Sequence, residues 1–267
     1  MVKDAALDLF HPAVRRWFKE SFNAPTPPQT LGWPPIARGE NTLILAPTGS
    51  GKTLAAFLFA INDLILRQQR GQALSGVHIL YLSPLKALAT DIERNLETPL
   101  AGIRSAASGL GLDLPEVIVG VRTGDTSSSQ RQRMVRHPPQ ILITTPESLH
   151  LLLTSQRARE ILRTVQYTIV DEIHAVCANK RGTFLTLLIE RLQTMVGRPL
   201  VRVGLSATQR PLKEVALFLG GYGKTNSSRP VTIVDAGMRK DLEIAVLSPV
   251  DDMTDLPCDD DTGPSIW

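Results

Sequence analysis

The chain has too little cysteine to be held together by disulfides. Cys177 and Cys258 are its only two in 267 residues, which suits a reducing cytosol and excludes a small secreted, cross-linked scaffold. It has no apolar run able to span a bilayer: the longest, 54–66, is interrupted by Asn62 and Asp63 and falls short of the ~20 residues a spanning helix needs. It has no export signal, because the opening "MVKDAALDLF" carries acids where a signal peptide is apolar. It has no internal repeat, and no low-complexity segment outside its last residues. These absences predict a soluble, cytoplasmic protein that does not associate with membrane.

One further absence is local. Residues 241–267 contain eight acids and no Lys or Arg, which leaves 29 basic against 18 acidic residues in 1–240. The overall net charge of +3 therefore conceals a basic body with a surplus of 11 and an acidic end. A basic body favours a polyanionic partner, nucleic acid above all. The acidic, proline-containing end "DDMTDLPCDDDTGPSIW" has too little apolar content to build a core and reads as a linker.

What the chain does have is alternation. Short β-branched runs at 41–46, 77–83, 116–121, 140–145, 165–171, 200–206 and 231–235 are separated by helical patterns at 51–70, 85–97, 127–136, 147–155, 182–196 and 211–219. Several runs are apolar throughout, as strands buried on both faces are. The pattern predicts an α/β fold with a mostly parallel central sheet and helices on both faces, with the ligand site at the carboxyl ends of the strands. Residues 1–40 stand outside it, as a helical pattern around 14–22 followed by a proline-rich turn, "NAPTPPQT". We therefore expect an N-terminal helical segment at 1–40, a main domain at 41–237, and a last strand with acidic linker at 238–267.

Two motifs carry chemistry. "APTGSGKT" (46–53) follows a strand and opens a helix, the setting of a P-loop. There Thr48, Gly49, Ser50 and Gly51 would wrap the phosphates, the glycines allowing a tight turn with converging N–H groups. Lys52 would bring a point charge and Thr53 a hydroxyl for Mg²⁺. The helix start adds up to ~2 kcal/mol toward an anion where partly buried. "TIVDEIHA" (168–175) ends a second apolar strand in two acids. Asp171 is placed to hold Mg²⁺ and Glu172 to polarise the attacking water. Cys177 beside His174 is too small a set for zinc. Trp17 and Trp33 are expected to pack the N-terminal segment, and Arg131, Arg133 and Arg136 to form a solvated helix face, with a nucleic-acid contact as the alternative.

"APTGSGKT", "DEIH" and "GLSAT" (204–208), in this order and spacing, resemble the first RecA-like domain of superfamily 2 helicases, whose phosphate loop begins with Ala as often as Gly. "VRTGDT" (121–126), "PPQILITTPESLHLLL" (138–153), "KRG" (180–182) and "GLSATQRPLKEVALFLGG" (204–221) are similar to the large helicase-related (Lhr) family, over about residues 8–250. The resemblance implies a single RecA-like P-loop NTPase domain that binds ATP and Mg²⁺. It implies that Gln29 reads the adenine edge with its donor and acceptor together. It implies strand contacts from Ser83, Lys86, Arg122, Thr123, Gly124, Thr144 and Thr145. His174, Ser206 and Thr208 would couple the two sites.

The implied partners are single-stranded DNA or RNA, with RNA–DNA hybrids among the duplexes, and a second RecA-like domain. No second set of strand–helix units follows "SAT" in these residues, and the arginines that such a domain supplies are worth about 10³–10⁵ in rate. Two functions stay open: an ATP-driven 3′→5′ helicase, of which these residues form the first motor domain, or a binding module with little turnover.

Overall fold

Seven apolar runs become seven strands of one sheet: β1 (Asn41–Leu45), β2 (Ile79–Leu82), β3 (Val119–Arg122), β4 (Ile141–Thr144), β5 (Tyr167–Val170), β6 (Val201–Ser206) and β7 (Val231–Asp235). The computed structural model describes residues 6–207, 211–223, 225 and 227–237, and the backbone of 258–259 and 263–264. The strand order is β3-β4-β2-β5-β6-β1-β7, and every pairing is parallel, as in Leu80 opposite Leu142 and Thr42 opposite Val203.

Because successive residues of a strand face opposite ways, each strand feeds two cores. Ile44, Ile79, Tyr81, Ile143 and Ile169 enter one; Leu43, Leu80, Leu82, Leu142 and Val170 enter the other. On the first face lie α1 (Pro12–Ser21), α2 (Pro27–Ala37), α3 (Lys52–Gln69) and α4 (Lys86–Ser108), while the edge helix α5 (Ser128–Arg136) packs Met134 and Val135 against the second core. The second face carries α6 (Pro146–Thr154), α7 (Gln156–Leu162), the single-turn α8 (His174–Cys177), α9 (Lys180–Val196) and α10 (Leu212–Gly220). This is the parallel α/β sheet expected from the alternation of strands and helices, and the RecA-like architecture that the family resemblance implies.

The N-terminal residues correct the sequence expectation in one respect. Of the stretch read as a proline-rich turn, 23–26 stay outside any helix and 27–30 are the start of helix α2. Pro27 occupies the first helical position, where its missing N–H would have no partner anyway and its fixed φ suits the helix. Gln29, three residues after Thr26, takes the Thr26 N–H on its Oε1 at 2.9 Å, half of a capping box. Trp33, with no exposed surface, donates from its indole to the Ala55 carbonyl at 3.1 Å and meets Phe10 and Phe18 edge-on. Trp17 is buried against Gly102, where a Cβ would lie 2.3 Å from the indole. Both tryptophans are core, as expected.

Helix α4 also runs beyond its expected end, through Pro99 to Ser108, and α7 was not anticipated. Residues Met1–Gly237 form one compact unit and Met238–Trp267 a second, in which 258–259 pair antiparallel with 263–264. The apolar run "LEIAVLSPV" expected as a last strand lies outside the described residues. No described helix is long and apolar enough to cross a membrane.

Candidate active site

A parallel sheet sends all its strand carboxyl ends to one edge, and the sequence-predicted residues lie there. The loop after β1 turns through Gly49 at φ 77° and Gly51 at φ 86°, a left-handed backbone that an L side chain resists. At Gly51 space also decides: a Cβ would stand 2.7 Å from Gln29 Nε2. Ala46 is fully buried and donates its N–H to the Ser206 carbonyl at 3.2 Å, tying the phosphate loop to the end of β6. Thr48 and Gly49 are exposed. Ser50 Oγ donates to the Pro47 carbonyl at 2.6 Å. Lys52 is buried, its ammonium making one long bond, 3.5 Å, to the same carbonyl. Thr53, half-buried, stands one residue further along α3.

Gln29 is brought to this loop, but its amide is engaged at both ends. Oε1 takes Thr26 N–H, and Nε2 donates to the Gly51 carbonyl at 3.4 Å. To read an adenine edge the amide has to exchange the longer of these bonds.

Across the loop, β5 delivers the two acids. Asp171 is buried. Its Oδ1 accepts the Glu172 N–H at 2.9 Å, and its Oδ2 accepts the hydroxyl of Tyr81. Burial, and after it the facing carboxylate, pushes the Tyr81 phenol well above its ordinary value, so this hydroxyl stays a donor. Glu172 has φ 44°, the one non-glycine residue at positive φ among the described residues. Such backbone costs about 1–3 kcal/mol and collects at functional positions. Glu172 Oε2 lies 3.3 Å from His174 Nδ1. The same nitrogen is 3.4 Å from Ser206 Oγ and accepts the Ala207 N–H at 3.4 Å. The acid pair is thereby linked through one imidazole to the end of β6. Thr208 lies outside the described residues.

The other strand ends carry the residues expected to contact nucleic acid, and their hydroxyls are not all free to do so. Phosphate oxygens only accept, so a hydroxyl must donate to bind them. Ser83 Oγ instead donates to the Leu85 carbonyl at 2.9 Å, and Thr144 Oγ1 to the Arg122 carbonyl at 2.6 Å. Both hydroxyls are turned inward to shape their loops. Thr145 caps α6 by accepting the Ser148 N–H at 3.4 Å, and Thr123 accepts that of Asp125 at 3.3 Å. Facing outward is Lys86, paired with Asp125 at 2.8 Å and lying over Gly124, whereas Arg122 is largely buried. Burial and then nearby Arg131 lower the Arg122 pKa from its ordinary value.

Tyr81 and Asp125 were missed from sequence. A tyrosine in an apolar strand signals only a polar tip in need of a partner, and nothing local names Asp171, 90 residues away.

A phosphate loop and a paired-acid strand end, on the two strands that flank β6 at the carboxyl edge of an all-parallel sheet, define a RecA-like motor domain. Residues 26–215 match the DEAD/DEAH box helicase family, and the chain belongs to it. It is 53% identical over 240 residues to the ATP-dependent helicase Lhr-Core protein 2 of Thermococcus barophilus, covering 90% of this chain and 28% of that protein. It is 51% identical over 250 residues to the Lhr helicase/probable uracil glycosylase of Mycolicibacterium smegmatis, covering 94% of this chain and 16% of that one. Its fold superposes on the Mycobacterium smegmatis helicase Lhr, solved bound to ssDNA and AMP-PNP, with a TM-score of 0.82 and 50% identity over 98% of this chain and 32% of that one. The resemblance to the Lhr motor domain drawn from the motifs holds, and the chain spans less than a third of these relatives' length.

Proposed function

We propose that the chain binds ATP with Mg²⁺ and a single nucleic-acid strand. Paired with a second RecA-like domain, it couples ATP hydrolysis to 3′→5′ movement and strand displacement. The observation that carries this is the convergence of Lys52, Thr53, Asp171, Glu172 and His174 on one sheet edge that also holds the exposed Lys86 and the largely buried Arg122. The ssDNA and AMP-PNP held by the Mycobacterium smegmatis relative support both ligand classes.

In this mechanism Gly49, Ser50 and Gly51 offer backbone N–H groups to the phosphates, with Thr48 at the loop's outer side. Lys52 neutralises charge at the β/γ-phosphates. Gln29, kept on Thr26, releases the Gly51 carbonyl and turns its amide nitrogen toward adenine. Asp171 and Thr53 are hard oxygen donors, one carboxylate and one hydroxyl. They fit Mg²⁺, which keeps most of its waters and takes phosphate oxygens besides one or two protein ligands. When bound, the cation offsets charge developing on the transferred phosphoryl group. Asp171 keeps lone pairs for this role while the Tyr81 hydroxyl and Glu172 N–H fix its plane.

Glu172 takes the proton of the attacking water as its oxygen bonds to the γ-phosphorus and the bond to ADP breaks. His174 senses that carboxylate and passes its position to Ser206. Lys86, Arg122, Thr123, Gly124 and Thr145 line the strand, on loops shaped by Ser83 and Thr144.

The test is ATP hydrolysis with and without single-stranded DNA, by these 267 residues and by a polypeptide carrying a second RecA-like domain as well. We expect weak or absent stimulation in the first and strong stimulation in the second. Robust strand displacement by the 267 residues alone would overturn the need for a second domain.

A further inference from the structure

Beyond β3, at the edge of the sheet, α5 and α7 enclose a cavity of about 390 Å³ whose polar lining is Arg122, Arg131, Gln132, Arg136, Ser155 and Arg157. Four guanidinium groups face one space with no carboxylate in its wall. Most other arginines of the body are paired, as Arg67 is with Asp63 and Arg181 with Glu147. Among the described residues, the four cavity arginines form no salt bridge. Arg131 donates Nη2 to the Gly124 carbonyl at 2.9 Å, while its Nε is buried with no partner. Arg122 is 8% exposed, and the like charge of that same arginine acts on it.

Like charges held together at partial burial raise the free energy of the empty site, and an anion removes that cost. Guanidinium is also the side chain best shaped to hold phosphate through two bonds at once. The position narrows the choice of anion. Arg131 is bonded to the carbonyl of Gly124, on the loop over which Lys86 lies. The cavity thus continues the row of strand-facing loops outward past β3. A nucleotide at the phosphate loop lies across the sheet, five strands away in the order from β3 to β1.

We propose that this arginine cavity is a backbone-phosphate site that extends the path of a bound single strand beyond the motif loops. The inference rests on the strand-binding role proposed above, and deepens it by adding Arg131, Arg136 and Arg157.

Arg136 and Arg157 are exposed at the mouth, so Arg136→Ala/Arg157→Ala leaves the core intact, which circular dichroism checks. Binding of labelled single strands of increasing length is followed by anisotropy across a salt series. Long strands are expected to bind about tenfold more weakly to the double variant. Their salt slope should shrink by roughly 0.7 for each phosphate contact removed. Strands too short to pass the loops at Lys86 and Thr145 should bind both proteins equally, and ATP affinity should not change. Unaltered affinity for long strands would overturn the site. So would a loss confined to ATP or inorganic phosphate, which would make this a free-phosphate site. Lys86→Ala serves as control. If it weakens binding and the double variant does not, only the cavity assignment falls; if neither does, the strand face itself is wrong.

Discussion

The hydroxyl of Tyr81, wholly buried on β2, donates to Oδ2 of Asp171 at the tip of neighbouring β5. The ring is held independently, stacked on Phe57 with centroids 4.9 Å apart, so position and hydrogen bond can be separated. Tyr81→Phe keeps the packing and leaves a buried carboxylate oxygen without its donor, at about 1–3 kcal/mol. Thermal unfolding should drop by a few degrees, roughly 2–4 °C per kcal/mol at this size. With a second motor domain present, the Mg²⁺ dependence of ATP turnover should shift to higher concentration. A variant matching the parent in both respects would reduce Tyr81 to a core residue.

Lys52 is a buried cation with a single long bond to a carbonyl, so its charge is poorly compensated until phosphate arrives. Lys52→Ala should weaken ATP binding by about 10–100-fold, the worth of a charge-assisted hydrogen bond. Without nucleotide, the same variant should unfold at an equal or higher temperature than the parent. Calorimetric titration and a melting curve on one sample check both halves, and unchanged nucleotide affinity would contradict the assignment.

Glu172→Gln keeps the size and strained backbone of the residue while removing the base. In a polypeptide with the second domain, nucleotide should still bind while hydrolysis slows by about 10²–10⁴-fold. The carboxylate facing His174 at 3.3 Å is lost as well, so stimulation by single strands should fall along with the basal rate. Normal turnover would remove Glu172 from its role.

Away from the site, Glu190 receives both Arg202, at 2.9 Å, and Arg229, at 2.6 Å. Burial alone would raise its pKa, but hydrogen bonds from Arg229 and Arg202 outweigh that and hold it below the ordinary value. A carboxylate depressed on folding adds stability that is present above its unfolded pKa, about 4.3, and is lost as pH falls through the folded value. Glu190→Gln also leaves the buried Arg202 without its anion, a loss of up to about 3–5 kcal/mol for a buried pair and less here because Glu190 is partly exposed. The melting temperature of the variant should sit well below the parent's at pH 7, and the gap should narrow on acidification below about pH 4. A gap that stays constant would separate Glu190 from the acid response.

Some of this was legible in residue order, because it depends on near neighbours. Apolar runs five to seven residues long marked all seven strands, and glycines spaced for a left-handed turn marked the phosphate loop. The acids at 171–172 marked a strand end. The misreading of 27–30 as part of a turn came from treating proline as a breaker. At the first helical position it is a starter, and only the engagement of Gln29 with Thr26 and Gly51 shows which applies.

The order β3-β4-β2-β5-β6-β1-β7 belongs to the tertiary structure, since pairing between strands up to 190 residues apart is decided by which buried faces fit together. That order sets Tyr81 beside Asp171 and His174 against Ser206. It also turns the Ser83 and Thr144 hydroxyls inward and leaves four arginines around one cavity. Local sequence names the chemical groups near the site, and long-range packing selects which of them face the ligand and which are used to hold the site in shape.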